Sequence, residues 1–131
     1  MIVLDASAAV ELLMNTRLGK KLAERLRSSN VSLHAPHVID LEVAETLRRY
    51  VADRTIPEER GRLALQHLAM LDLNRYPHDT LLRRIWGLRD NLTAYDAAYV
   101  ALAEALEASL VTADRRLAKA PKLMTTIELL Q

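Results

Sequence analysis

Four carboxylates in this chain stand at positions where metal chemistry would be built: Asp5, Glu42, Asp96 and Asp114. Asp5 directly follows the apolar run Ile2 to Leu4, and Asp114 follows Ser109 to Thr112; both runs read as short strands. Acids gathered in one pocket repel. At about 4 Å, an effective dielectric near 20 gives roughly 4 kcal/mol per pair before screening. A hard divalent cation with oxygen ligands is the natural partner, and Mg²⁺ takes a few carboxylates while keeping several waters.

Each acid also has a purely structural role open to it. Asp5 and Asp114 can cap the helices that follow them, because a carboxylate accepts an orphan backbone N–H. Thr93 to Asp96 fits a capping box, in which the acid reaches back to the cap residue. Against that, residues Ala97 to Ala103 are apolar on nearly every face, as in a buried helix. A lone carboxylate at the mouth of a buried helix is costly unless paired. Glu42 shares a polar helix face with Glu45 and Arg49, and the last two are spaced for an ordinary ion pair. Asp40 falls toward the apolar side and is given no metal role.

Other chemistries find less support. With no cysteine, thiolate nucleophiles, disulfides and Cys-based zinc sites are excluded. His34 and His37 straddle Pro36, and His67 and His78 stand alone, so all four histidines read as structural or surface groups. Only three glycines occur, and none forms a phosphate-cradling loop. No G-x-S-x-G surrounds Ser7. Ser7 and Thr112 instead suit orienting the acids through their hydroxyls. An aspartyl-phosphate chemistry at Asp5 would want a second acid two residues on, where Ser7 stands.

The elements that must position these groups alternate. Strands are expected at Ile2–Asp5, Ser32–Ala35, Leu71–Arg75, Ser109–Thr112 and Leu123–Thr125. Helices are expected at Ala8–Met14, capped by Ser7, then at Arg17–Ser28, from Pro36 in its first turn to Asp53, and at Pro57–Met70. Three more follow at His78–Leu88, Thr93–Glu107 and Arg115–Ala118. Strands alternating with helices imply an α/β fold with a parallel sheet, and ligands then bind outside the carboxyl ends of its strands. The 131 residues fit a single domain, 1–131, and half of them are hydrophobic, enough for a real core. A net charge of +1 argues neither for nor against nucleic acid. Met1 runs almost directly into an apolar strand with no basic leader, and no apolar stretch approaches the roughly 20 residues of a membrane span. A cytoplasmic protein is expected.

Four segments, in this order and at these separations, resemble the PIN-domain ribonucleases, specifically the VapC-type toxins of prokaryotic toxin–antitoxin pairs. They are Val3-Leu4-Asp5-Ala6-Ser7, Asp40-Leu41-Glu42-Val43-Ala44, Leu92-Thr93-Ala94-Tyr95-Asp96-Ala97-Ala98-Tyr99 and Leu110-Val111-Thr112-Ala113-Asp114-Arg115-Arg116-Leu117. The resemblance implies a three-layer α/β/α fold. It implies that Asp5, Glu42, Asp96 and Asp114 are the catalytic, metal-binding acids for Mg²⁺ or Mn²⁺, with Ser7 and Thr112 supporting them. It implies a type II toxin that hydrolyses RNA with metal-activated water, leaving 5′-phosphate and 3′-hydroxyl ends. A VapB-like antitoxin and a homodimer are the implied partners. The leucines at 12, 13, 18, 22, 63 and 68 would offer the antitoxin a groove or belong to the core. For RNA contact the nearest basic groups are Arg115 and Arg116, and Arg17, Lys20, Lys21, Arg25 and Arg27 make the second helix basic. With one Trp, four Tyr and no Phe, recognition by RNA shape and backbone is expected over base stacking. The competing reading is a non-catalytic PIN-like module that binds RNA or protein; the presence of all four acids weighs against it.

Overall fold

The computed structural model describes residues 1–121 and 123–131. Five strands form one sheet: β1 (Ile2–Leu4), β2 (Leu33–Pro36), β3 (Leu73–Tyr76), β4 (Ser109–Thr112) and β5 (Ile127–Leu129). Among the described residues seven α-helices alternate with them: α1 (Ala6–Leu13), α2 (Arg17–Ser29), α3 (Val38–Ala52), α4 (Glu58–Met70), α5 (Leu82–Gly87), α6 (Ala94–Leu106) and α7 (Arg115–Ala118). A 3-10 turn, Asp79–Leu81, leads into α5, so the single helix expected over His78–Leu88 is two shorter pieces.

All strand pairs are parallel, in the order β3-β2-β1-β4-β5. The chain leaves the central β1 toward β2 and β3, then returns to β4 on its other side. Right-handed crossovers therefore send the earlier and later helices to opposite faces. Accordingly, α1 packs with α2, α3 and α4, while α6 packs with α5 and against β1, β2 and β4. The result is the three-layer α/β/α sandwich, with the reversal of strand order between β1 and β4. Every residue of β1 is buried, which explains why its sequence is continuously apolar. Helix α6 is buried from Ala97 to Ala103, the all-round burial its composition demands.

Several boundaries differ from expectation. Asp5, not Ser7, caps α1: its Oδ1 accepts the Ala8 N–H at 2.9 Å, and the helix starts at Ala6. Pro36 ends β2 opposite Tyr76 instead of opening the next helix. Its fixed φ serves an extended end as well as a helical first turn, and His37 N–H donates to Tyr76 O at 2.8 Å, which continues the sheet past the proline. The last strand is Ile127–Leu129, not Leu123–Thr125. Both stretches contain β-formers; the partner decides, since Leu110 to Thr112 register with Ile127 to Leu129.

Two buried polar details complete the scaffold. His34 is buried, with Nε2 2.7 Å from Ser32 Oγ and Nδ1 2.7 Å from Tyr76 OH. Burial holds its pKa below the usual imidazole value. Gly19 allows α2 to pass directly over α1: a Cβ there would lie 1.9 Å from the Glu11 carbonyl oxygen. Among the described residues no helix is long and apolar enough to cross a membrane.

Candidate active site

Asp5 leaves the end of β1 and is only 5% exposed. Both of its carboxylate oxygens are held. Ser7 Oγ donates to Oδ1 at 2.7 Å, beside the Ala8 N–H, and Thr112 Oγ1 donates to Oδ2. The same two hydroxyls accept from the next loop: Ala113 N–H donates to Ser7 Oγ at 2.9 Å, and Asp114 N–H to Thr112 Oγ1 at 3.0 Å. Ser7 and Thr112 thus tie the loop that carries Asp114 to the carboxylate of Asp5. This junction lies between β1 and β4, where the strand order reverses and parallel sheets open a crevice.

The other two acids come from helices. Asp96 sits in the first turn of α6, whose cap is Thr93; Thr93 Oγ1 accepts the Asp96 N–H at 3.2 Å. Only that half of the expected capping box forms among the described hydrogen bonds, so the Asp96 carboxylate is not committed to the Thr93 backbone. Glu42 stands on α3, and its Oε1 accepts from Tyr99 OH at 2.6 Å. Tyr99 belongs to α6 and is 1% exposed, so α6 fixes both Asp96 and, through Tyr99, Glu42.

Asp5, Glu42, Asp96 and Asp114 all line one cleft of about 740 Å³, together with Ser7 and Tyr99. Burial raises the pKa of Asp5; its three hydrogen bonds pull the other way, and Asp96 adds a smaller upward push. Burial raises Glu42 as well, opposed by Tyr99 and reinforced by Asp96 and Asp5. Asp96 is raised by burial and then by Asp114, with Arg116 opposing. These mutual shifts mean that the acids feel one another as like charges. Among the described residues two basic side chains share the lining, Arg49 and Arg116. Arg116 reaches Asp114 only at 3.5 Å and is itself almost fully exposed.

The donor set is therefore all oxygen, acidic and weakly neutralised, which fits a hard divalent cation. Among the described residues no three acidic or imidazole side chains close into a cage.

Other candidates fall elsewhere. Arg115 lies outside the cleft lining, whereas Arg116 is part of it. The basic side chains of α2 do not line it either; Arg25 pairs with Glu128 at 2.5 Å and Lys21 Nζ donates to Gln131 O at 3.1 Å. Asp40 binds Arg75 at 2.8 and 2.9 Å, a structural pair outside the cleft lining. Of the six leucines, Leu13, Leu22 and Leu68 are core, and Leu12, Leu18 and Leu63 are half-buried. The spacing of Glu45 and Arg49 suggested an ion pair, but Glu45 pairs with Arg48 instead, through Nε and Nη2. Pattern reading passed over Tyr99 as one more apolar position in α6 and Arg49 as half of a solvated pair. Only the approach of α3 to α6 and the choice of Glu45 rotamer reveal them.

A family model described as PIN domain matches residues 2–123. The chain is 50% identical over 119 residues to Ribonuclease VapC9 of Mycobacterium tuberculosis, covering 89% of this chain and 88% of that one. It is 45% identical over 130 residues to Ribonuclease VapC1 of the same organism, covering 98% and 97%. Its fold matches a crystal structure described as VapBC2 from Rickettsia felis bound to a DNA fragment from their promoter, with a TM-score of 0.72, 15% identity and 100% of both chains covered.

Proposed function

The chain belongs to the PIN-domain family, among its VapC ribonucleases, and from that membership we propose that it is a divalent-metal-dependent endoribonuclease, the toxin of a type II toxin–antitoxin pair. The observation that carries the reading is the convergence of four carboxylates from four separate elements on one cleft at the carboxyl ends of the strands. Asp5, Asp96 and Asp114 would hold Mg²⁺ or Mn²⁺, directly or through water. Its chemistry, when bound, is Lewis-acid activation of water and neutralisation of charge on the phosphate.

The residues of the chain divide the remaining work. Ser7, Thr112 and the Ala8 N–H hold the Asp5 carboxylate in one orientation; Oδ1 accepts two of these bonds and Oδ2 one, so Oδ2 keeps the capacity to bind a cation or its water. Tyr99 OH occupies Glu42 Oε1, so Oε2 is free to hold and orient a water or to serve as a further ligand. Glu42, with one oxygen unoccupied and facing the same cleft as the three aspartates, is placed to take the proton that the attacking water loses. Arg116, at the rim, can meet the phosphate of the substrate. Product ends would be 5′-phosphate and 3′-hydroxyl. A VapB-like antitoxin would cover the cleft, with a basic side chain among the acids, and two toxin chains would pair as a homodimer. The VapBC name of a solved neighbour supports the antitoxin.

The test is cleavage of total cellular RNA on a denaturing gel, with wild type and Asp96→Asn, in Mg²⁺, Mn²⁺ or EDTA. Discrete fragments from the wild type with metal alone are expected, with none from Asp96→Asn, whose rate should fall at least a hundredfold. An active Asp96→Asn protein would sink the mechanism. A folded wild type that cuts no RNA under any condition would favour the alternative of a non-catalytic binding module.

A further inference from the structure

One stripe of α3 forms a wall of the cleft along its whole length. Val38, Glu42, Glu45, Thr46, Arg49 and Tyr50 line it. Their spacing is that of one helical face, so the wall runs from the acids outward along the helix axis. Glu42 stands near one end and Arg49 seven residues on, which separates them by about 10 Å along the axis. The side chains between them are coupled: Thr46 Oγ1 donates to Glu42 O at 3.0 Å and accepts from Arg49 Nη2 at 3.5 Å.

The charge on Arg49 is felt by Glu45 and Asp53 only at longer range. Glu45, the neighbour spaced to neutralise it, is bound by Arg48 with hydrogen bonds to both carboxylate oxygens. Among the described residues no carboxylate lies within ion-pair distance of Arg49. An exposed guanidinium therefore lines an acidic cleft, its one side-chain hydrogen bond the long one to Thr46. Its planar fork matches a phosphate.

We propose that Arg49 anchors a backbone phosphate of the RNA next along the strand from the one at the acids. The proposal rests on the ribonuclease reading. The scissile phosphate sits at the acids, between Glu42 and the Arg116 rim, and the strand continues along α3 to Arg49. Arg49 is a positioning residue: it sets binding and register and does not touch the reacting atoms. The opposing account is that Arg49 only offsets the negative charge of the cleft.

The experiment separates the two. Binding of a fluorescein-labelled, mixed-sequence single-stranded oligoribonucleotide is followed by anisotropy in Mg²⁺ over a range of salt. The Asp96→Asn protein is the reference, so that the probe is not cut. Adding Arg49→Gln should raise Kd roughly tenfold and lower the slope of log Kd against log salt by about 0.7, one phosphate contact. Arg49→Lys should restore the slope and part of the affinity. In the otherwise wild-type chain, Arg49→Gln should raise KM with kcat little changed. An unchanged Kd and slope, or a change in thermal stability alone, overturns the proposal. It does so without touching the nuclease reading, which stands or falls on cleavage by the wild type.

Discussion

At the scale of single residues, the hydroxyls do as much to define the cleft as the acids. Ser7 and Thr112 each accept a backbone N–H from the β4–α7 loop and donate to Asp5, so two side chains lock two acids together. Tyr99 OH donates to Glu42 across the α3–α6 gap. A hydrogen bond to a carboxylate is worth about 1.5–3 kcal/mol, and partners of this kind typically change metal affinity or activity 10- to 100-fold when removed. Tyr99→Phe keeps the buried ring and deletes only the hydroxyl. The half-maximal Mg²⁺ concentration for cleavage should rise about tenfold, or kcat fall by that factor, with a stability loss of about 1–2 kcal/mol by thermal unfolding. A variant with the wild-type metal titration and kcat would show that Glu42 needs no orientation.

At the scale of elements, the cleft depends on how closely the helices approach. Thr16 caps α2 through its side chain and Asn30 closes it in the left-handed region, both ordinary terminal devices. Gly19 is different, because α2 crosses the last turns of α1 at van der Waals contact there. Helix α1 carries Ser7 and is capped by Asp5. Gly19→Ala drives a methyl into the Glu11 carbonyl, and overpacking of this kind costs about 1–3 kcal/mol. Tm should fall by roughly 8 °C. Gly87→Ala is the control: its added Cβ would meet only Arg84 Nη1, at 3.7 Å, so Tm should hold. Equal behaviour of the two variants would mean that α1 and α2 separate without cost.

At the scale of the whole molecule, the fold concentrates like charge at the one place where its strand order reverses. Burial and mutual repulsion raise Asp5, Glu42 and Asp96 together, an arrangement unfavourable without a cation. The unfolded chain has no such cluster, so a cation that binds the folded cleft stabilises it by mass action. At a hundred times Kd the gain is about 2.7 kcal/mol, or roughly 10 °C in Tm. Mg²⁺ or Mn²⁺ should produce that shift, EDTA should remove it, and Asp96→Asn should shrink it. No shift at saturating metal in the wild type would count against a clustered metal site.

Much of this was legible in the residues themselves. The continuous apolar β1, the apolar run Ala97 to Ala103 in α6 and the acids after β1 and β4 follow from burial and strand-end chemistry, which leave local signals. So did the parallel α/β class, because alternating periods of two and 3.6 have few other solutions. The quoted segments around the four acids also carried the family. What stayed hidden depended on partners distant in sequence or on the choice of a side-chain rotamer. Leu123–Thr125 and Ile127–Leu129 look alike until β4 selects the second. Pro36 is equally at home in a strand end or a helix start until Tyr76 lies beside it. Glu45 had two arginines within helical reach, and its rotamer chose Arg48, leaving Arg49 to the cleft. The sequence by itself determined which groups carry charge and which strips must be buried, because those are properties of side chains and their spacing. Only the tertiary structure decided which charges meet, because contact between residues far apart in the chain is set by packing and register.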